Sequence, residues 1–482
     1  MTFTKSLMLA GLQCEKQLWL RVHCPELAQP TESPLTLTGR VVERHARELF
    51  PGAVQVARDI PGNDPFVETA TLLSAPGVTA ILEAGIRAAD LTVFIDVLER
   101  DPTGDGWSLT EIKAATSVRD AHIEDVAVQA LTLHLAGIPV RHFRLLHINR
   151  EFVYRGDHNY AGVFVPADIS ERVLAHTPFM AAQLDAFRKL LAGSQPARRI
   201  GSHCNSPWPC PFKTHCEAQD ARYPLAWLPN GAVAARRLIA QGIYDIRDIP
   251  ADALDSERQL RVRRVTLAGQ PELLPGAARQ LRALAWPRFY LDFECIQFAL
   301  PVWAGTRPYQ QLPFQWSCHV QTQPDGLAHH KFLDDSGSDP RRRFAQTLLA
   351  TCGDAGPIIV YNQAFEARVV RELAGLLPDL SEPLLALAAR MFDLLPVVRD
   401  NYYHPDMRGS WSIKRVLPCL VPELSYARLG RVHDGLQAQA GYLELIAAGP
   451  DTAGREALRR DLLSYCELDT LAMLKIVERL CE

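Results

Sequence analysis

The sequence predicts a mixed α/β (α+β) fold in which two domains are joined by a small helical segment. Three observations support this prediction. The 482 residues are enough for about three domains of ~150 residues. The content of 48% hydrophobic and 22% charged residues is typical of a folded globular protein and excludes wholesale disorder. In the last part of the chain, strand patterns precede helical patterns, which is typical of α/β or α+β domains.

We expect domains at 1–221 and 286–482, with 222–285 as a helical linker. Apolar runs rich in β-branched residues predict strands, and apolar residues at helical spacing predict helices. The predicted strands are 91–98, 107–114, 288–295, 315–322 and 357–362, and the predicted helices are 120–136, 364–376 and 461–480. Segment 201–219 is rich in proline and cysteine and is predicted to be irregular.

Charge and composition exclude several classes of protein. A net charge of −4 excludes a broadly basic, histone-like coat but leaves room for a local basic groove. Eleven scattered cysteines favour a reducing compartment, so we predict a cytoplasmic protein. We find no apolar run of the ~18 residues that a membrane span needs, and therefore expect no membrane partner. Glu15 and Lys16 interrupt the apolar N-terminal stretch, which we interpret as structure and not as a signal peptide.

A first candidate site combines two carboxylates and an amine. Asp96 lies inside an apolar strand, where a carboxylate needs a partner. Glu111 and Lys113 are two apart on the next strand, so their side chains share a face. Such a set could hold Mg²⁺ or Mn²⁺ and support phosphodiester hydrolysis, with Gln129 of the following helix nearby. An exposed hairpin with a charge pair is the alternative interpretation.

The segments GRVVERHARELF, FIDVLERDPTGDGWSLTEIKAAT and DVAVQALTLHLAGI resemble the RecB-type PD-(D/E)XK nucleases. The resemblance implies a restriction-endonuclease-like fold with a metal-dependent site at Asp96, Glu111 and Lys113. In that family the helix ahead of the sheet supplies a His or Glu, here His45 or Glu43. The family's Gln-x-x-x-Tyr motif is half present, because Gln129 matches and Leu133 replaces the tyrosine.

Cysteines form a second candidate site. Cys204, Cys210 and Cys216 follow the spacing C-x5-C-x5-C, and Cys14 lies far away in the sequence. Four thiolates suit zinc or an iron–sulfur cluster, and the alternative is a set of unrelated buried thiols. Several RecB-like nucleases carry one cysteine before the nuclease core and three after it. That likeness implies a 4Fe–4S cluster that joins the two ends of the domain.

Zinc stays open as the alternative to the cluster, because the spacing differs from the C-x2-C-x5-C of some family members. His203 and His215 would then be spare ligands. Cys24 is an alternative to Cys14.

Acidic residues form a third candidate site near the end of the chain. Asp292 and Glu294 share one face of an apolar strand. Asn362 and Glu366 lie at a predicted strand-to-helix junction. In the last helix, Tyr465 and Asp469 are four apart and share a face. Converging carboxylates repel one another unless cations bind them, so we predict two Mg²⁺ or Mn²⁺ ions here.

In this order, the three motifs resemble those of the DEDD exonucleases of the DnaQ-like, RNase H-like fold. Asp292 and Glu294 match the first motif, and Asn362 and Glu366 match the second, with Glu in place of the usual Asp. The last pair matches the third motif, which implies that Tyr465 helps to position the attacking water. Asp393 is a reserve carboxylate or a helix cap, and Trp411 and Lys414 are candidates for the groove, the core or the surface.

The middle segment contains LIAQGIYDIRDIP, which is similar to one half of a helix–hairpin–helix with Gly242 in the hairpin. A plain helix that ends at glycine is the alternative. An arginine cluster follows and predicts either a basic stripe or a solvated helix face. Its members are Arg258, Arg261, Arg263, Arg264, Arg279 and Arg282.

From Ser6 to Glu482 the chain resembles a bacterial family that joins a RecB-like iron–sulfur nuclease to a DnaQ-like domain. This implies a metal-dependent nuclease acting on DNA in repair, recombination or defence, with a RecB-like site and a 3′–5′ exonuclease site. Two alternatives stay open: an RNA exonuclease, and a non-catalytic iron–sulfur adaptor that binds nucleic acid.

Overall fold

The computed structural model describes residues 2–29, 34–58, 60–102, 106–448 and 453–482, without the side chains of 34–37. The chain divides into two compact units. The first comprises Met1–Asp220 and Phe298–Tyr309, and the second comprises Ala221–Gln297 and Gln310–Glu482. Both combine helices and strands, so the predicted α+β, two-domain architecture is confirmed.

The division of the chain differs from the predicted one in two places. Residues 222–285, expected as a linker, belong to the second unit, because Leu238 and Val262 lie in the same buried core as Tyr290. Residues 298–309 belong to the first unit, where Ala299 and Leu300 join a buried core. Apolar burial, not sequence order, therefore decides both assignments.

The first unit begins with two short helices and contains one sheet. Its helices are α1 (Lys5–Gln13), α2 (Glu15–His23), α3 (Pro34–Arg47), α4 (Pro65–Ser74), α5 (Asp120–Leu135), α6 (Ser170–Leu191) and α7 (Lys213–Gln219). Its strands are β1 (Phe3–Thr4), β2 (Val54–Gln55), β3 (Ala80–Ala88), β4 (Leu91–Arg100), β5 (Trp107–Lys113), β6 (Val140–Ile148) and β7 (Phe164–Asp168). The predicted strands 91–98 and 107–114 and the predicted helix 120–136 are confirmed.

The described strands of this unit form a seven-stranded mixed sheet in the order β2-β3-β4-β5-β6-β7, with β1 beside β4. Leu98 of β4 lies in a core with Val126 of α5 and Leu184 of α6. Val97, the residue before it, lies in a second core with Val42 of α3. Apolar side chains of one strand thus enter two different cores, as expected for a sheet that is buried on both faces.

The second unit contains ten helices and seven strands within the residues described. Its helices are α8 (Ala232–Ala240), α9 (Glu257–Ala268), α10 (Gly276–Arg282), α11 (Arg341–Cys352), α12 (Gln363–Leu376), α13 (Ser381–Ala389), α14 (Leu394–Asn401), α15 (Ile413–Leu420), α16 (Gly435–Ala447) and α17 (Ala453–Cys481). Its strands are β8 (Glu272–Leu273), β9 (Arg288–Ile296), β10 (Leu312–Gln323), β11 (Gly326–Leu333), β12 (Ile358–Val360), β13 (Met391–Asp393) and β14 (Tyr402–Tyr403).

The main sheet of the second unit is mixed and has the strand order β11-β10-β9-β12-β13. Its central strand β9 is antiparallel to β10 and parallel to β12. The long helix α17 packs against β9 and β10. This packing brings the end of the chain next to the strand that carries the first acidic motif.

The prediction for segment 201–219 needs correction, because residues Lys213–Gln219 form α7. In the arginine cluster, Arg261 is buried and pairs with Glu272 at 2.8 Å. Arg264 pairs with the same carboxylate at 2.9 Å, so Glu272 neutralises part of the charge of these two arginines. Gly242 follows α8 with a φ of 78°, which glycine adopts without strain.

None of the helices in the described ranges combines the length and the apolar character that a membrane crossing requires.

Candidate functional site

Three carboxylates meet at the centre of the second unit. Asp292 and Glu294 are two residues apart on β9, so their side chains point to the same face of the sheet. The helix α17 packs on this face and supplies Asp469. One ligand oxygen from each lies within 4.8 Å of the others. Glu294 and Asp469 are buried, with 9% and 7% of their surface exposed. The site has the donors and the spacing for a divalent cation.

Electrostatics show how costly this arrangement is without a cation. Burial raises the pKa of Asp292 well above its usual value, and repulsion from Asp469, Glu294 and Glu366 adds to the effect. Burial and Asp469 likewise raise the pKa of Glu294. Burial raises the pKa of Asp469 to about 6, although a hydrogen bond from Tyr426 opposes the rise. A bound cation would oppose these shifts, because a nearby positive charge favours the ionised carboxylates.

Tyrosines and a lysine surround Asp469. Tyr426 donates a 2.5 Å hydrogen bond to Oδ1 of Asp469. Lys414 Nζ donates to Tyr465 Oη at 3.1 Å and lies 5.3 Å from the ring centroid of Tyr426. Burial and the neighbouring carboxylates raise the pKa of Tyr465, so its hydroxyl stays protonated. Lys414 therefore belongs to this site, whereas Trp411 is buried in the core.

Glu366 lies beside this group with an oxygen that has no partner. It is in the first turn of α12, is 3% exposed, and its Oε2 makes no hydrogen bond within the described chain. Burial raises its pKa to about 8. An unpaired buried carboxylate oxygen costs free energy that a ligand can offset, so Glu366 fits the role of a further metal ligand.

Two residues hold the turn that positions Glu366. Asn362 precedes α12 with a left-handed φ of 78°, and its N–H donates to Asp393 Oδ1 at 3.0 Å. Asp393 also accepts from Leu395 N at 3.0 Å and thereby caps α14. The cap interpretation of Asp393 is confirmed, and Asn362 serves the turn through its backbone.

The first unit contains a second acidic group. Asp96 of β4, Glu83 of β3 and Glu43 of α3 have ligand oxygens within 4.8 Å of one another. Glu83 has a φ of 56°, and the β3–β4 register skips the pair it would form with Asp96. A left-handed glutamate is strained, and such strain is concentrated at functional sites. Burial raises the pKa of Asp96 to about 8, and repulsion from Glu111 contributes.

Two arginines already neutralise part of this group. Arg47 pairs with both Glu43 and Glu83, and Arg58 Nη1 lies 2.6 Å from Glu83 Oε2. Burial and the hydrogen bond with Glu83 raise the pKa of Glu43. A cation at this group would therefore compete with arginine, unlike a cation at the carboxylates of the second unit.

Glu111 and Lys113 belong to an adjoining network between β5 and the helices α1 and α5. Glu111 Oε1 lies 2.6 Å from Lys113 Nζ and 3.0 Å from Lys5 Nζ. Gln129 Nε2 donates to Glu111 Oε2 at 2.7 Å. Asp125 completes the network, at 2.7 Å from Lys113 and 2.8 Å from Lys5. The network joins the predicted residues Glu111, Lys113 and Gln129.

Charge is balanced within that network. Burial acts to raise the pKa of Asp125, but the ammonium groups of Lys5 and Lys113 outweigh burial and hold it below its usual value. Burial alone would lower the pKa of Lys113, yet Glu111 and Asp125 raise it, so the amine stays charged. Glu111 is thus oriented by three donors before any metal is bound.

The structure separates the two alternatives for the helix ahead of the sheet. Glu43 belongs to the group of ligand atoms around Asp96. Among the described residues, His45 does not belong to this group. The His45 ring instead packs edge-on against Tyr160, with 5.2 Å between centroids, and its Nδ1 lies 3.0 Å from the Val41 carbonyl. Leu133 is buried in the core.

The four predicted cysteines line one cavity of the first unit. Cys14 lies between α1 and α2, and Cys204, Cys210 and Cys216 come from the loop and helix near residue 210. Burial and the other three thiols raise the pKa of Cys210 to about 11. Cys24, the alternative to Cys14, does not appear among the lining residues described.

Charged and polar groups support the cysteine cavity. Lys16, Arg198, Arg199 and Lys213 line it together with the thiols. Gln13 Nε2 donates to the carbonyls of His203 and Trp208, each at 2.7 Å, and so joins α1 to the cysteine loop. His203 Nε2 lies 3.6 Å from Cys204 Sγ, and His215 contacts Gln219. The basic groups would balance four thiolates.

Sequence reasoning missed several members of these sites. Asp125 precedes Gln129 by four residues on a helix, a spacing that could have identified it. Glu83, Lys5 and Tyr426 have no such local signal, because each reaches its site through packing of distant segments.

Taken together, fold and sites define an α+β protein with two carboxylate centres and a four-cysteine cavity. Residues 289–412 match the family model described as a domain of unknown function (DUF2779). The matched range contains Asp292, Glu294 and Glu366 but ends before Asp469.

One solved structure with partial similarity is titled "Crystal structure of SSO0001". It shares 14% sequence identity, covers 46% of this chain and 87% of its own, and has a TM-score of 0.27. A TM-score this low does not indicate a shared fold. None of the curated proteins matches the sequence.

Proposed function

We propose that the chain is a metal-dependent nuclease that acts on DNA through two hydrolytic sites. One observation carries this proposal. The carboxylates of Asp292, Glu294 and Asp469 lie within 4.8 Å of one another, Glu294 and Asp469 are buried, and none of the three forms an ion pair with a basic side chain of the described residues. Burial of like charges at that density is stable only with protons or cations between them.

In the second unit, we propose a DnaQ-like 3′–5′ exonuclease site. Asp292, Glu294, Glu366 and Asp469 would hold Mg²⁺ or Mn²⁺. Such ions supply Lewis-acid stabilisation of a phosphoryl group and lower the pKa of a water. Tyr465, fixed by Lys414 at 3.1 Å, would orient the attacking water through its hydroxyl.

In the first unit, we propose a RecB-like nuclease site. Asp96 with Glu43 and Glu83 supplies one set of oxygen ligands, and Glu111 supplies a further carboxylate beside them. Lys113 would stabilise negative charge that develops on the phosphate, since its ammonium stays charged. Gln129 would hold Glu111 in place through their 2.7 Å hydrogen bond.

For the cysteine cavity, we propose a 4Fe–4S cluster bound by Cys14, Cys204, Cys210 and Cys216. A zinc ion bonded to sulfur at ~2.3 Å needs sulfurs ~3.8 Å apart. Within the described chain, no three of these thiols form a group with all ligand atoms within 4.8 Å. That wider spacing favours a multi-iron cluster over a single zinc ion.

The test is a nuclease assay with Mn²⁺ on end-labelled single- and double-stranded DNA and RNA. The proteins are anaerobically purified wild type, Lys113→Met, Asp469→Asn and the double variant. Lys189→Met, on an exposed helix surface of the first unit, and Glu478→Gln, on a half-exposed helix surface of the second, are matched controls. We expect each site variant to lose one separable product pattern and each control to retain both.

The outcomes separate the proposal from its alternatives. Degradation restricted to RNA would identify an RNA exonuclease instead. Strand binding without cleavage by the wild type would contradict both hydrolytic sites and favour an adaptor.

A further inference from the structure

Two histidines face each other across the β10–β11 hairpin of the second unit. His319 and His329 are register partners, and their rings stack with centroids 4.5 Å apart. Glu467 of α17 completes a group whose ligand atoms all lie within 4.8 Å. We propose that His319, His329 and Glu467 form a further metal site, which takes a late first-row divalent cation such as Zn²⁺.

Hydroxyl groups already hold one nitrogen of each ring. Thr470 Oγ1 lies 2.8 Å from His319 Nδ1, and Ser317 Oγ lies 2.9 Å from His329 Nε2. The two hydroxyls also contact each other at 2.9 Å. Histidines that bind metals commonly have their second nitrogen fixed in this way. His319 Nε2 and His329 Nδ1 are therefore the nitrogens available to a cation.

The distance between histidine and glutamate suits a bridging cation better than a direct hydrogen bond. His329 Nδ1 lies 3.6 Å from Glu467 Oε2. Hydrogen bonds to nitrogen end near ~3.2 Å. A tetrahedral ion bonded to both atoms at ~2.1 Å would place them ~3.4 Å apart. Two imidazoles and one carboxylate favour zinc over magnesium, which prefers oxygen ligands.

This site is separate from the carboxylate group of the proposed exonuclease. Glu467 and Asp469 are two residues apart on α17, so they point to different sides of the helix. A cation bound at the histidines would link the β10–β11 hairpin to the helix that carries Asp469. The inference does not depend on nuclease activity, because its ligands are not members of the proposed hydrolytic sites.

A neighbouring lysine gives the proposal a directional test. Lys331 Nζ lies 3.7 Å from Glu467 Oε2 and is half-exposed, so its charge competes with a metal. Removing that charge should strengthen metal binding, whereas removing a ligand should weaken it. His330, the next residue, is exposed and is a matched control for the loss of a histidine.

The experiment is calorimetric titration of the full-length protein with Zn²⁺ in excess Mg²⁺. Wild type, His329→Ala, His330→Ala, Lys331→Met and Glu467→Gln are compared. We expect His330→Ala to match wild type and His329→Ala to bind one zinc fewer. Lys331→Met should bind that zinc about twofold to fivefold more tightly, because exposed ion pairs contribute little free energy. All of these variants retain the cysteines, so any zinc bound there is the same in each and cancels when the numbers of bound zinc ions are compared.

Equal zinc binding by wild type and His329→Ala would overturn the proposal and leave a hydrogen-bonded polar cluster. If His329→Ala fails to fold, Glu467→Gln tests the proposal instead, because glutamine keeps the shape of the glutamate side chain. Unchanged zinc affinity in Glu467→Gln, or weaker binding in Lys331→Met, would also overturn it.

Discussion

The hydroxyl of Tyr426 donates a 2.5 Å hydrogen bond to Asp469 Oδ1, although 43 residues separate the two in sequence. This bond lowers the pKa of Asp469 against the effect of burial, so the carboxyl titrates near 6 and not higher. Tyr426 thereby favours the ionised form, which is the form that binds a cation. Tyr426 is a positioning residue for the proposed exonuclease centre.

Tyr426→Phe should weaken Mn²⁺ binding at the second unit. Loss of a hydrogen bond to a metal-binding residue commonly lowers affinity or activity about 10- to 100-fold. We expect the Mn²⁺ concentration for half-maximal exonuclease activity to rise by about that factor, measured by titration of the assay. Tyr442→Phe is the matched control, because Tyr442 is buried with a hydroxyl that has no partner in the described chain. Equal Mn²⁺ requirements in both variants would contradict the role of Tyr426.

Glu366→Gln should change how stability depends on pH in protein freed of divalent metal. The folded-state pKa of Glu366 is about 8, and that of an unfolded glutamate is ~4.3. Between these values the folded state binds more protons, so the free energy of unfolding falls as pH rises, at most ~1.4 kcal/mol per unit.

The glutamine variant lacks this proton. Relative to wild type it should gain stability from about pH 5 to about pH 8, as measured by denaturant unfolding in EDTA. A difference that stays constant across this range would show that Glu366 is ionised in the folded protein.

Lys5→Met should destabilise the first unit and impair its proposed nuclease site. Lys5 is one of two ammonium groups shared by the buried carboxylates Glu111 and Asp125. Removing one partner of a buried ion pair costs about 3–5 kcal/mol, and we expect the lower end because Lys5 is a quarter exposed. Chemical denaturation measures the loss, with Lys189→Met as control. Wild-type stability in Lys5→Met would refute the role of this network.

Cys210→Ser should remove the metal of the cysteine cavity and destabilise the first unit. Metal binding contributes to folding free energy, so content and stability should fall together. Elemental analysis of anaerobically purified protein should find iron in wild type and in the control Cys24→Ser, and much less in Cys210→Ser. Zinc in place of iron would favour the single-ion alternative. Full iron content in Cys210→Ser would exclude Cys210 as a ligand.

Local periodicity explains which sites were predictable. Asp292 and Glu294 are two residues apart on a strand and share a face, and Tyr465 and Asp469 are about one helical turn apart. Both relationships depend on a single element, so sequence spacing was enough. The predicted strands and the long last helix follow from the same periodicities.

Other members of the sites depend on long-range packing. Residues 222–285, expected as a helical linker, group with the second unit, because residues such as Leu238 are buried in the same core as Tyr290. Between His45 and Glu43, only the orientation of α3 decides which side chain meets Asp96. Glu83 joins Glu43 and Asp96 because its own backbone is left-handed within a strand, and strand propensities do not predict this conformation.

The sequence by itself determined the α+β class, the acidic and cysteine motifs, and the faces on which neighbouring residues lie. Those properties follow from composition and from the repeat of one helix or strand. Only the tertiary structure decided that Tyr426 meets Asp469, that Lys5 meets Glu111, and that two histidines of a hairpin meet Glu467. The physical reason is that these contacts join segments far apart in the chain, and burial of apolar surface sets their positions.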